Sequence, residues 1–165
     1  MTADVLQRWT DADGRGLAGG RAGPGEFVAV VQKSPARAAD ASCEDAGALV
    51  AWGDRTCALI VADGFGGHAH GALAARTVVG AVCDRLAPVD GDPQSIQSAV
   101  LSGIESANQR LLQRGDGAAT TILAVVLDRD RLRSYHAGDS ELLVVGQRGK
   151  VKRQTISHSP VGYAV

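Results

Sequence analysis

Asp63 stands where an apolar run meets a glycine-rich turn, in the string Val61-Ala62-Asp63-Gly64-Phe65-Gly66-Gly67-His68. An acid at that place is an oxygen ligand on a rigid strand end. Gly64 and Gly66 let the backbone approach a bound ion, and a glycine carbonyl can itself coordinate one. The same string also describes a turn with an incidental acid. Glu44-Asp45 precedes a second apolar run, where a paired acid is usually solvated surface. Asp139 lies in Gly138-Asp139-Ser140, a common turn composition. Three acid positions at strand ends, if they converge, make a site for hard, oxygen-preferring cations such as Mg²⁺ or Mn²⁺. The chain has no His/Cys cluster of the kind that holds zinc.

These positions depend on the elements around them. Residues 11–25 contain Asp13-Gly14, Gly16, Gly19-Gly20 and Gly23-Pro24-Gly25 and read as loop or tail. The expectation is a mobile segment over 1–25 ahead of a domain over 26–165. Phe27–Val31 is a short β-branched run, and 33–42 is polar and small, so it reads as loop. Ala48–Trp52 and Thr56–Ala62, split by Gly53-Asp54, predict a hairpin. Ala72, Ala75, Val79, Val82 and Leu86 recur at three and four, the stripe of an amphipathic helix. Asp92-Pro93 starts a second helix as N-cap and first-turn proline, with the stripe Ile96, Val100, Ile104, Ala107 and Leu111. Thr120–Leu127 then predicts a strand buried on both faces. Leu132–Ala137, Glu141–Val145 and Val151–Ile156 continue as a meander around the Asp139 corner. Strands, then helices, then strands predict an α+β fold with antiparallel sheets.

Composition narrows the function classes. The 21% of charged residues and 45% of hydrophobic ones describe a globular chain, and a net charge of -1 gives no basic field for nucleic acid or an anionic membrane. Six aromatic residues are few for stacking on bases. Cys43, Cys57 and Cys83 are odd in number and lack metal-ligand spacing, which points to reduced thiols and a cytoplasmic location. No signal peptide or membrane-length apolar run is visible.

Taken together, the motifs resemble a known family. Asp63-Gly64-Phe65-Gly66-Gly67-His68 is similar to the D-G-x-G-G-H signature of bacterial metal-dependent, type 2C, serine/threonine protein phosphatases. Glu44-Asp45 resembles the family's upstream acid pair, Thr120-Thr121 its "T-T" strand and Gly138-Asp139-Ser140 its G-D-S corner. His158-Ser159 resembles its D-H-S segment, with Ser157 in place of the Asp. All follow in family order from about residue 27 onward. The resemblance implies an αββα sandwich of two antiparallel sheets flanked by helices, with two or three Mn²⁺ or Mg²⁺ ions at one end. It implies Asp63 as the bridging ligand, the Gly64 carbonyl as another, Glu44 and Asp45 acting largely through bound water, and Asp139 at a third ion. Asp63, Asp45 and His68 are the candidate catalytic residues, His68 being either a proton donor to the leaving oxygen or a helix-start residue. The implied substrates are phosphoserine and phosphothreonine proteins in signal transduction, attacked by water without a covalent intermediate.

The chain also departs from the family pattern. An arginine that grips phosphate usually precedes the acid pair; here Asp40 stands near that place and Arg37 is the nearest arginine. Cys43 stands where Asn is common. The family's later aspartates are absent, so the phosphatase domain is expected to be incomplete at the C-terminus and, alone, to bind metal weakly. The alternative is a non-catalytic, phosphatase-like binding module. A dinucleotide fingerprint at Gly64, Gly66 and Ala69 lacks its acid some 20 residues on, since Asp84 falls within a helix. Asp11-Ala12-Asp13-Gly14 lacks the glutamate that closes a calcium loop, Ala22 standing there.

Overall fold

A computed structural model of the chain describes residues 3–9, 15–32, 43–65 and 68–158, with the backbone alone at 4–9, 15–17, 31–32 and 68–69. Five strands come first: β1 (Asp4–Trp9), β2 (Arg15–Ala22), β3 (Gly25–Gln32), β4 (Asp45–Trp52) and β5 (Thr56–Phe65). Helices α1 (His68–Leu86) and α2 (Pro93–Arg114) follow. The chain then forms β6 (Ala119–Thr120), β7 (Ile122–Asp128), β8 (Arg131–Ala137), β9 (Leu143–Val145) and β10 (Val151–Gln154). The main sheet is antiparallel in the order β1-β4-β5-β7-β8, with β6 pairing the end of β5. Hairpins β2-β3 and β9-β10 complete the α+β fold, whose sheets are all antiparallel as expected.

Strand side chains alternate between faces, and the alternation sorts the core. Ala46, Ala48, Val50 and Trp52 of β4 share one face with Ala58, Ile60 and Ala62 of β5 and Ile122, Ala124 and Val126 of β7. Both helices cover that face. The predicted stripe residues of α1 (Ala72, Ala75, Val79, Val82 and Leu86) are all at 0% exposure. Asp92 caps α2 as predicted: its carboxylate accepts from the Gln94 and Ser95 amides at 3.1 and 2.9 Å. The stripe read from the sequence omitted Gly103, where a Cβ would lie 2.6 Å from the Val82 Cα; the two helices touch there nearly backbone to backbone. On the opposite face a smaller cluster of Ala22, Leu49, Ala51 and Cys57 packs with Phe27, Leu59 and Leu127, so the β2-β3 hairpin covers part of the sheet.

Three expectations need correction. The segment 1–25 was expected to be loop or mobile tail, yet it holds β1, paired with β4, and β2, paired with β3. Its glycines misled because they permit close strand approach: a Cβ on Gly19 would sit 3.2 Å from the Phe27 carbonyl oxygen. Pairing supplied by a partner strand overrides local propensity. The loop expected at 33–42 lies outside the described residues, as do Arg37 and Asp40. Thr120–Leu127 is also not one strand: it breaks at Thr121 into β6 and β7. The following strands are shorter than predicted, at Leu143–Val145 and Val151–Gln154.

Candidate metal centre

The acids gather where β4 and β5 share an end. Asp45 opens β4 and is the cross-strand partner of Asp63. Both lie on the face away from the helices, since their neighbours Ala46 and Ala62 are in the helix-side core. Like charges directly opposite one another destabilise a strand pair. The Asp63 carboxyl is accordingly pushed above the usual aspartate range. Partial burial is the first cause, although the residue as a whole is exposed. The charges of Asp45 and Asp139, a side-chain hydrogen bond with Asp45 and the charge of Glu44 follow. The fold thus brings all four predicted carboxylates into one electrostatic neighbourhood. Asp139 arrives from the far side of β8, 76 residues after Asp63 in the chain.

Backbone contacts fix this arrangement. Gly64 N donates to the Glu44 carbonyl at 3.0 Å. A Cβ on Gly64 would collide with the carbonyl of Gly71, and one on Gly71 would lie 2.8 Å from Gly64 O and 3.3 Å from the Glu44 Cδ. The first turns of α1 therefore rest directly on the Gly64 peptide, the predicted carbonyl ligand. Gly138 has φ +100°, a conformation suited to glycine, and brings Asp139 around the corner. Gly71 escaped the sequence reading because its requirement is set by how α1 packs back on the Gly64 peptide, which local composition does not show. His68 is the first residue of α1, but its side chain lies outside the described residues, as do Gly66 and Gly67.

A cavity of about 440 Å³ opens beside the acids, and Asp45, Asp63, Ser140, Val28 and Val30 are among the residues that line it. The Cys43 thiol, in the place where asparagine was expected, lies 3.9 Å from Asp45 Oδ2. His158 does not join the acids in any described contact. Its ring stacks on His136 with centroids 4.4 Å apart, and His136 Nε2 pairs with the Ile156 carbonyl at 3.0 Å. His136 thus has a structural role, held by the His158 ring and the Ile156 carbonyl.

The donor set fits a hard divalent cation. It is made of oxygen, it repels itself, and a positive ion would relieve that repulsion. Among the described residues no three His, Cys, Asp or Glu side chains converge at direct ligand spacing. No helix among the described residues is long and apolar enough to cross a membrane.

Residues 34–163 match the family described as Protein phosphatase 2C. The serine/threonine protein phosphatase PstP of Mycobacterium tuberculosis is 32% identical over 91 residues, covering 50% of this chain and 17% of that protein. The serine/threonine phosphatase of S. agalactiae superposes with a TM-score of 0.68 at 24% identity, covering 90% of this chain and 57% of that one. The catalytic domain of PstP in complex with 2 manganese ions superposes at 0.56, also at 24% identity, with 98% and 60% covered. The chain spans less than two thirds of each of these proteins.

Proposed function

The chain belongs to the protein phosphatase 2C family, and from that premise we propose that its protein is a metal-dependent hydrolase of phosphoserine and phosphothreonine in proteins. The observation that carries this reading is the pairing of Asp45 with Asp63 across β4 and β5, within the fields of Asp139 and Glu44. Asp63, Asp45 and the Gly64 carbonyl would hold Mn²⁺ or Mg²⁺, with Glu44 and Asp139 at its periphery. The two manganese ions in the PstP catalytic domain support that choice of metal. The cation, when bound, supplies Lewis-acid charge and lowers the pKa of water.

The protein's own groups do the rest. Asp45 and Asp63 orient a water at the cavity mouth and accept its proton. Ser140 lines the same cavity. The nucleophile is water, so no thiol is required. Cys43, Cys57 and Cys83 are buried and not joined in disulfides, which supports a reducing, cytoplasmic setting, and phosphoprotein substrates would place the protein in signal transduction.

Titration calorimetry with Mn²⁺ tests the site: Asp63→Asn abolishes binding and Cys57→Ser retains it, whereas equal affinity in the Asn variant removes Asp63 from the site. The full-length protein is expected to hydrolyse p-nitrophenyl phosphate and phosphothreonine peptides, to stop with EDTA and to tolerate thiol alkylation. Turnover that survives EDTA points to another phosphatase class.

A further inference from the structure

The sheet ladder contains one rung made by a side chain. Val61 pairs with Leu123 and Gly64 with Thr120, so Asp63 and Thr121 stand opposite each other. Thr121 N donates to Asp63 O at 2.8 Å, as an antiparallel ladder requires. The return bond is different: Asp63 N donates to Thr121 Oγ1, at 2.9 Å, in place of the Thr121 carbonyl. That carbonyl instead accepts from Thr120 Oγ1 at 2.9 Å, and the same hydroxyl lies 3.0 Å from Asp63 O. The exchange explains why the predicted strand breaks at Thr121.

The hydroxyl also reaches the next element. Thr121 Oγ1 lies 2.6 Å from Ser140 Oγ, the residue after Asp139. A hydroxyl carries one proton and two acceptor sites. With Asp63 N–H accepted, the Thr121 proton is available to Ser140, and Ser140, which lines the cavity, can direct its own proton there. The Thr121 methyl is engaged too: a Cβ on Gly138 would lie 2.7 Å from Thr121 Cγ2. One side chain therefore grips the backbone of Asp63 and supports the corner that carries Asp139.

We propose that Thr121 is a positioning residue of the cation site, its hydroxyl tying Asp63 to the Gly138-Asp139-Ser140 corner and so fixing the separation of the two carboxylates. The inference rests on the reading of these acids as a Mn²⁺ or Mg²⁺ site. Asp63 and Asp139 repel each other, so without the tie the corner relaxes outward and the pair no longer serves one site. Removing an outer hydrogen-bond partner of this kind lowers metal affinity by about 10–100-fold.

The test is Mn²⁺ titration calorimetry on the full-length protein and on its Thr121→Val, Thr121→Ser and Ser140→Ala variants, each also unfolded by denaturant without metal. Valine keeps the shape and loses the hydroxyl, so affinity is expected to fall about tenfold or more. Serine restores the hydroxyl and is expected to recover most of it. Ser140→Ala keeps the bond to Asp63 and cuts only the link to the corner, with an intermediate loss. A folded Thr121→Val protein with parental affinity overturns the proposal, and so does a serine variant as weak as the valine one, which would assign the effect to packing. Should Thr121→Val not fold, Ser140→Ala decides, and parental affinity there overturns the tie. A full-length parent that takes up no Mn²⁺ overturns the cation reading itself, and the proposal with it.

Discussion

The two faces of the main sheet meet at adjacent residues and obey different rules. Ala62, at 3% exposure, belongs to the core under the helices, while Asp63 beside it opens on the cavity. The helix-side face is mainly apolar, with Thr56 hydrogen-bonded to Asp128 at its margin, and α2 on it starts at the Asp92 cap and ends at Gly115, as local chemistry prescribes. The acid-side face sets Asp45 against Asp63, leaves Val61 at 47% exposure and raises an ionisable group out of its ordinary range. One face contributes stability throughout. The other does so only where the β2-β3 hairpin covers it, and its acid end holds an arrangement that costs stability, which the cation proposed for it would relieve.

The largest expected effect separates the faces. Leu86 is fully buried at the end of α1 in the helix-side core. Leu86→Ala is expected to lose about 2–5 kcal/mol through lost transfer energy and a cavity, measured by denaturant unfolding. Mn²⁺ affinity of the folded fraction should stay at the parental level. A parallel loss of affinity would break the comparison, because it would make the core part of the site.

A glycine pair sharpens it. Gly71 and Gly80 both lie within α1. A Cβ at Gly80 meets nothing within 4 Å, so Gly80→Ala is expected to stabilise by up to about 1 kcal/mol from helix propensity alone. A Cβ at Gly71 meets the Gly64 carbonyl at 2.8 Å, and backbone must move to admit it. Gly71→Ala is expected to cost about 1–3 kcal/mol and to weaken Mn²⁺ binding as the Gly64 peptide shifts. Thermal unfolding and calorimetry on the two variants check both signs. Two stabilised variants would mean that α1 does not rest on the Gly64 peptide.

The same division governs what the sequence could reveal. The helices were legible because their stripes and the Asp92-Pro93 start are local signals, and each stripe residue of α1 is buried. The acids were legible as types: Asp63, Glu44-Asp45 and Asp139 stood at strand ends, Asp63 and Asp139 beside glycine. Their mutual placement was not, since it depends on the register that sets Asp45 opposite Asp63. Strands β1 and β2 were missed because glycines such as Gly19 and Gly20 look like loop until a partner strand pairs them. Thr121 was visible as a strand residue, but its role as a rung needed the Asp63 amide and Ser140, both far along the chain.

The smallest expected effect on stability concerns Asp63 itself. Its carboxyl sits above the ordinary range in the folded chain, chiefly through partial burial and the charges of Asp45 and Asp139. Between the unfolded and the folded pKa the native state therefore binds more protons than the unfolded chain, and stability falls as pH rises through that window. Above it the penalty is complete and constant. Solvent screening keeps it small, because Asp63 is exposed. Asp63→Asn removes the charge, so the metal-free variant should melt slightly higher than the parent at neutral pH and show a shallower decline from acid to neutral. Mn²⁺ should reverse the order: it raises the melting temperature of the parent by binding the native state and leaves the Asn variant where it was. Melting curves of both proteins across that window, with EDTA and with Mn²⁺, check the four cases together. A variant less stable than the parent in EDTA would mean that Asp45, Asp63 and Asp139 are held apart well enough not to repel, and the acid-side face would then lose its claim to be strained in favour of a cation.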